Sequence, residues 1–399
     1  MKGSTRWLLL GGLLFLVLVG IRLAADPPAS LPQAGPARTP AAGRPGVAPG
    51  AEEAPAPPGF RRADGPRTWD FPSDFGPHPE YQTEWWYYTG ILEADQGRTF
   101  GYQLTLFRRG LIPPAERPAR ASDWAAEQVY MGHFALSDIQ AGTHRSVEIF
   151  SRGAAGLAGA RNSPFRVWVE DWSIERTGPG TFRLRAEAED AAVDLVLEDR
   201  KGLTFHGEEG YSRKGEDPGN ASYYFSQTRL TASGEVRSGA ERFRVEGLSW
   251  MDHEFSTSAL APGQVGWDWF SLQLADGSDL MVFQIRRADG SISPYSSGTL
   301  VSPEGEALSL DRGDFEIEVA GTWRSPRSGA VYPAGWHLRI PGADLVLEVE
   351  PLLADQEMDV SYRYWEGAVS VRGEKDGEPI SGRGYVELTG YAGSLEGEF

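Results

Sequence analysis

From Thr68 onward the chain is written in steps of two, and that period leaves room for little besides antiparallel β-structure. Phe182, Leu184 and Ala186 alternate with Arg183, Arg185 and Glu187. Val193, Leu195 and Leu197 alternate with Asp194, Val196 and Glu198, and Phe315, Ile317 and Val319 with Glu316 and Glu318. Leu345, Leu347 and Val349 repeat the pattern. Successive side chains of a strand point to opposite faces, so each of these segments has one wet and one dry face. Asp276-Gly277, Asp289-Gly290 and Asp376-Gly377 stand between such runs, where a tight hairpin needs residues that accept positive φ. The 49 glycines and 28 prolines fit a chain that turns often. No long helical pattern interrupts the strands; only Pro114 to Gln128 has room for one short helix. The expected fold class is all-β, and twisted antiparallel sheets of this extent close into barrels or sandwiches.

One stretch echoes another. Trp85-Trp86 through Leu92, a turn at Gly97, Tyr102-Gln103-Leu104 and Arg108-Arg109 make one hairpin. Trp267 and Trp269 through Leu274, a turn at Gly277, Phe283-Gln284-Ile285 and Arg286-Arg287 make a similar one about 180 residues later. A chain of 399 residues is long enough for two domains. The echo assigns residues 68–248 and 249–399 to two consecutive β-barrels, packed together near Ser249. Residues 26–67 are dominated by Pro, Ala and Gly; such a segment cannot bury a core and is expected to be a disordered, extended linker. Lys2 and Arg6 precede an apolar run from Trp7 to Ile21, followed by Ala24 and Ala25. Residues 1–25 therefore read as a signal peptide or an uncleaved membrane anchor. The expected location is periplasmic or secreted, tethered to the membrane if the segment is retained.

Charge and composition remove several function classes. With 38 basic and 56 acidic residues the net charge is −18, so nothing neutralises phosphates and no nucleic-acid partner is expected. The chain has no cysteine, which excludes disulfides, thiolate metal sites, Cys nucleophiles and a lipid-bearing N-terminal Cys. His253-Glu254 lacks the second His one turn on, so the zincin motif fails. Gly247-Leu248-Ser249-Trp250-Met251 ends in Met and is no nucleophile elbow. No cofactor and no metal site are expected.

The densest polar cluster is Ser249-Trp250-Met251-Asp252-His253-Glu254-Phe255-Ser256-Thr257. On a strand, Trp250, Asp252 and Glu254 share one face and Met251, His253 and Phe255 the other. A carboxyl beside Trp rings loses solvation, its pKa rises, and it becomes a general acid near neutral pH. The alternative is a carboxylate that locks two domains together by pairing with Arg108 or Arg286. A second cluster, Pro79 to Tyr88, sets Trp85, Trp86, Tyr87 and Tyr88 in a row, and Trp267-Asp268-Trp269-Phe270 and Tyr223-Tyr224-Phe225 add more rings. These rings either fill cores and a domain contact or line a pocket for an elongated apolar ligand.

With these clusters in view, the sequence resembles the secreted AttH-like proteins, relatives of carotenoid 1,2-hydratases. The resemblance lies in HPEYQTEWWYYTG at 78–90, GYQLTLFRR at 101–109, MGHFALSD at 131–138 and FRVWVEDW at 165–172. It continues in SWMDHEFS at 249–256, GWDWFSLQL at 266–274 and YWEGAVSV at 364–371. It implies two lipocalin-like barrels with a ligand cavity near their junction. It also implies hydration of an isolated double bond of an isoprenoid chain without a cofactor; some relatives act on polyketide or flavonoid substrates instead. Asp252 is then the proton donor, and the rings of Trp250, Trp267 and Trp269 face the cation. Where the pigment hydratases carry a His and a Trp ahead of the acid, this chain offers Tyr223 and Tyr224. The candidate catalytic residues are Asp252, His253, Glu254 and Tyr223; the candidate ligand-binding residues are Trp85, Trp86, Tyr88, Trp250, Trp267 and Trp269. Two function classes follow. One is a cofactor-independent hydratase or lyase. The other is a non-catalytic binder of a lipid or other apolar small molecule, working with an export system of the cell envelope.

Overall fold

In a computed structural model, residues 59–395 are described, apart from 119–121, 123 and 259. The segment 1–25 and the linker as far as residue 58 lie outside the described residues. The first sheet starts from the hairpin Thr83–Ala94 and Arg98–Gly110, rich in the aromatic and β-branched residues that suit a pleated surface. Gln128–Asp138 and Thr143–Arg152 extend it on one side. On the other side Thr83–Ala94 pairs with Glu241–Ser256, which pairs with Ala221–Ser238, and five shorter strands complete a nearly closed barrel. The second sheet repeats the plan. The hairpin Gln264–Leu274 and Asp279–Arg287 is flanked by Glu378–Leu388 and then Tyr364–Lys375, and the whole forms a half-barrel. In each sheet the first strand of the hairpin is sealed by the last strand of the barrel. The architecture is a two-domain lipocalin-like fold.

The alternating segments face as their period requires. Phe182, Leu184 and Ala186 are buried in the first core, and Leu345, Leu347 and Val349 in the second. Val319 departs from its row: it is 45% exposed, because Glu316–Val319 is an edge strand of the half-barrel and nothing covers its end. Among its described residues, the segment with room for a short helix contains only a 3-10 turn at Pro114–Glu116.

Two expected boundaries move. The strand Glu241–Ser256 belongs wholly to the first sheet, since Ser249 to Ser256 is what pairs with Gly90 to Thr83 to seal the barrel. The second sheet begins at Gln264, so the changeover falls after Ser256 and not at Ser249. Residues 59–67, assigned to the linker on composition, pack on the first barrel instead. Ala63 is fully buried, Arg61 N–H donates to Glu80 O at 2.8 Å, and Tyr223 OH donates to Gly65 O at 2.8 Å. A few backbone hydrogen bonds and one apolar side chain are enough to order the end of a segment whose average composition is disordered.

Candidate active site

Strand parity divides the acid cluster. On Glu241–Ser256, Met251 enters the first core and His253 and Phe255 meet the rings of the same barrel, while Asp252 and Glu254 turn to the opposite face. That face looks onto the second barrel across a cleft. Its first wall carries Trp85, Tyr87, Thr105, Phe107, Tyr224 and the two carboxyls. Its second wall carries Trp267, Trp269, Phe283, Ile285, Tyr364 and Glu387, and Lys214 and Tyr362 also line the cleft. The empty volume is about 900 Å³, including the part open to solvent. The lining is mostly aromatic with a few convergent polar groups, the composition expected of a small-molecule site.

Asp252 is almost wholly buried and accepts three hydrogen bonds. Tyr224 OH donates to Oδ2 at 2.5 Å, Trp250 Nε1 donates to Oδ1 at 2.6 Å, and Ser226 OH donates to Oδ1. Burial nevertheless pushes its carboxyl up to about 7, the three donors pulling against that rise and the charge of Glu254 adding to it. Arg108 pairs with Glu84, and Arg286 with Asp268, so neither suggested arginine reaches Asp252. Among the described residues no cation pairs with it. Behind the acid, Ser226 Oγ lies 2.7 Å from His206 Nε2, and burial pushes that imidazole down to about 3, which keeps it neutral. Trp269 Nε1, from the second barrel, donates to Tyr224 OH at 3.1 Å, and Tyr87 OH donates across the cleft to Glu366 Oε1 at 2.6 Å. Glu254 accepts from Ser222 OH and pairs with Lys214 at 3.1 Å.

The structure brings together Trp85, Trp267, Trp269, Asp252 and Glu254 of the expected residues, with Trp250 directly behind the acid in the same apolar cluster. Trp86 and Tyr88 do not join them. Both are buried in the first core, because alternate residues of Thr83–Ala94 point into the barrel. Tyr223 also faces away, packing on Tyr81 and Phe255, and its neighbour Tyr224 is the phenol that meets Asp252. His253 lies inside the barrel with Nε2 2.9 Å from Glu84 Oε1. His78 Nδ1 touches that same oxygen at 2.8 Å, and Arg108 Nε donates to the other at 2.8 Å. These ligand-type atoms of His78, Glu84 and His253 lie within 4.8 Å of one another, but hydrogen bonds and a guanidinium already saturate the carboxylate they share. Sequence reasoning did not select Tyr87, Lys214, Tyr224, Tyr364 or Glu387. Parity from Asp252 across the pairing would have found Tyr224, since Tyr224 stands opposite Glu254 and Ser226 opposite Asp252.

Tyr224 tests the electrostatics directly. Tyr224→Phe removes a donor that favours the ionised carboxyl, a charge-assisted bond of about 1.5–3 kcal/mol. Asp252 should then titrate roughly one pH unit higher than in the wild type, as read by carboxyl carbon NMR; an unchanged midpoint would deny the hydrogen bond its role.

A family model described as AttH-like matches residues 62–391. The fold is similar to that of a solved structure described as an AttH protein from Nitrosomonas europaea, at 37% identity and a TM-score of 0.72, covering 85% of this chain and 99% of that one. It is also similar to kievitone hydratase from Nectria haematococca, at 15% identity and a TM-score of 0.63, covering 84% of this chain and 98% of that one. At the second identity the likeness speaks to the fold alone. No curated protein matches the sequence.

Proposed function

The chain belongs to the AttH-like family, and on that premise we propose that the cleft between its barrels houses a cofactor-independent hydratase or lyase acting on an isolated double bond of an apolar, isoprenoid-like ligand. The observation that carries this reading is Asp252, a carboxyl buried at the wall of an aromatic cleft with no cation partner among the described residues, which burial pushes up to about 7. Protonated near neutral pH, it can deliver a proton to an alkene carbon. The tertiary cation that results is met by aromatic faces, Trp85, Tyr87 and Phe107 on one wall and Trp267 and Trp269 on the other, whose quadrupoles attract positive charge. Water then captures the cation to give the alcohol. A protein described as a hydratase has a similar fold, which supports this reading. The basic start and apolar run at residues 2–21 support a site of action outside the cytoplasm.

A non-catalytic lipid carrier would use the same apolar walls. It would have no use for a buried carboxyl whose desolvation nothing cationic offsets, and this favours the enzyme. The test is incubation of the cofactor-free protein with geraniol in ¹⁸O-labelled water, since the terminal double bond of geraniol is isolated and trisubstituted. The expected product is the tertiary alcohol carrying one labelled oxygen. Quenching of tryptophan emission at micromolar geraniol with no alcohol formed would hand the site to the carrier reading.

A further inference from the structure

The two walls of the cleft repeat one another, register for register. In the first sheet Tyr87 pairs with Asp252 on the last strand and with Thr105 on the second strand of its hairpin. In the second sheet Trp269 pairs with Glu387 on the last strand and with Phe283 on the second strand of its hairpin. One step along, Trp85 stands between Glu254 and Phe107. Trp267 stands in the same way between Thr389, whose N–H donates to Trp267 O at 2.9 Å, and Ile285. Every one of these side chains lines the cleft. The register equivalent of the acid on the first wall is thus Glu387 on the second.

Glu387 is built like its counterpart. An indole N–H holds it, Trp267 Nε1 donating to Oε2 at 2.7 Å as Trp250 Nε1 does to Asp252. Among the described residues neither carboxyl has a cation partner. The neighbour on the next strand in is Ser226 for Asp252 and Glu366 for Glu387. Glu366 accepts from Tyr87 OH through one oxygen, and its other oxygen is buried without a partner. Burial, with the charge of Glu387 adding to it, pushes Glu366 well above the carboxylate range and keeps it protonated. Burial also pushes Glu387 up to about 7, the charge of Asp252 contributing to the rise.

We infer that Glu387 is the second catalytic carboxyl of the cleft, the base that takes a proton from the attacking water while Asp252 gives its own to the double bond. This rests on the hydratase reading of the site. The step balances with the residues present. The O–H bond of Asp252 breaks and the π pair of the alkene becomes the new C–H bond, leaving a tertiary cation. A water oxygen bonds to that carbon, one water O–H bond breaks, and the proton goes to Glu387. The alcohol departs with Asp252 ionised and Glu387 protonated, and one proton returns from Glu387 to Asp252 through solvent at the cleft mouth. Dehydration runs with the roles exchanged. Two carboxyls on facing walls, one protonated and the other ionised, supply both an acid and a base at the same pH. The other titratable groups facing them are Glu254 and Lys214, which pair with each other, Glu366, and the phenols of Tyr87, Tyr224, Tyr362 and Tyr364, all four raised by burial.

The full-length protein, Asp252→Asn and Glu387→Gln carry the test in two arms. In the first, pH-dependent infrared spectra follow the protonated carboxyl band. Removing either acid should lower the titration midpoint of the other by about one pH unit, as for coupled sites; midpoints that ignore each other overturn the pairing. In the second, geraniol is incubated in heavy water. Asp252→Asn should lose alcohol formation and deuterium uptake by the recovered alkene together, each by about 10²-fold or more. Glu387→Gln should lose alcohol formation by about 10²-fold or more through kcat, with KM held. Its recovered alkene should still gain deuterium, because Asp252 can protonate and deprotonate the chain without a base for water. Wild-type rates of alcohol in Glu387→Gln, or loss of deuterium together with alcohol, overturn the role. If the wild-type protein leaves geraniol untouched while Trp emission reports its binding, the hydratase reading falls, and the role of Glu387 falls with it even where the first arm shows coupled carboxyls.

Discussion

Asp252→Asn is expected to cut turnover by about 10²- to 10⁴-fold, the range for losing a positioned general acid, while ligand binding and folding persist. The amide keeps the shape of the carboxyl: its oxygen still accepts from Trp250 Nε1 and Ser226 OH, and its NH₂ meets Tyr224 OH, a hydroxyl able to accept as well as donate. No ion pair is broken. The sign of the stability change follows from the raised carboxyl. Its contribution is full below the ordinary value of 3.8 and is lost as pH rises through about 7. The variant lacks this titration, so its melting temperature relative to wild type should improve between pH 4 and pH 8. Calorimetry across that window and product analysis at each pH give both halves. Wild-type turnover must also fall as pH rises above 7, where the acid empties. A variant that melts several degrees lower yet retains turnover would remove Asp252 from the chemistry and return it to the scaffold.

The largest stability effect is expected at Arg108. Its side chain and that of Glu84 are both fully buried, joined at 2.8 Å, and Arg108 Nη2 also donates to His78 O and Tyr81 O. Burial opposes the charge of Glu84, but Arg108, aided by hydrogen bonds from His253 and His78, holds the carboxyl well below its usual range. Arg108→Ala leaves that charge buried without its partner, at a cost of about 3–5 kcal/mol, or roughly 10 °C in melting temperature. Glu84→Gln added to Arg108→Met should recover part of the loss, because an apolar and a neutral residue then replace the charge. A depressed carboxyl contributes stability above its unfolded pKa of about 4.3 and loses it as pH falls through the folded value. The wild type should therefore unfold in acid more steeply than the double variant. Equal melting temperatures for Arg108→Ala and wild type would refute this account.

What the sequence yields and withholds is set by the range of the interactions. The faces of 250–255 were legible because strand parity is local: Asp252 and Glu254 turn to the cleft, Met251 and Phe255 to the barrel. The same rule separates Trp85 and Tyr87 from Trp86 and Tyr88, so a run of four rings supplies both a core and a pocket wall. Tyr223 was chosen over Tyr224 because nothing near either residue fixes its parity. The pairing of Tyr224 with Glu254 fixes it, and Ala221–Ser238 further shifts register between Gln227 and Leu230. Glu387 carries no local sign at all. It sits in an ordinary strand between Val386 and Leu388, and its place in the cleft depends on pairing with Trp269, far earlier in the chain. With the strand pairings in hand, the repeated hairpin leads to it. Once Tyr87 is matched to Trp269 as the equivalent position, the partner of each on its closing strand is a carboxyl.

Because each barrel is sealed by its own last strand, the cleft is assembled only after Glu378–Leu388 has been made. Thr83 waits for Ser256, and Trp269 waits for Glu387. Such long-range pairing is slow, since distant segments must meet before any contact rewards them. A chain emerging N-terminus first therefore delivers each aromatic hairpin long before the carboxyl strand that pairs with it. A chain halted between Ser256 and Glu378 holds the first wall alone, and one halted before Ser249 holds neither sealed barrel. The two carboxyls meet only when both closing strands are in place.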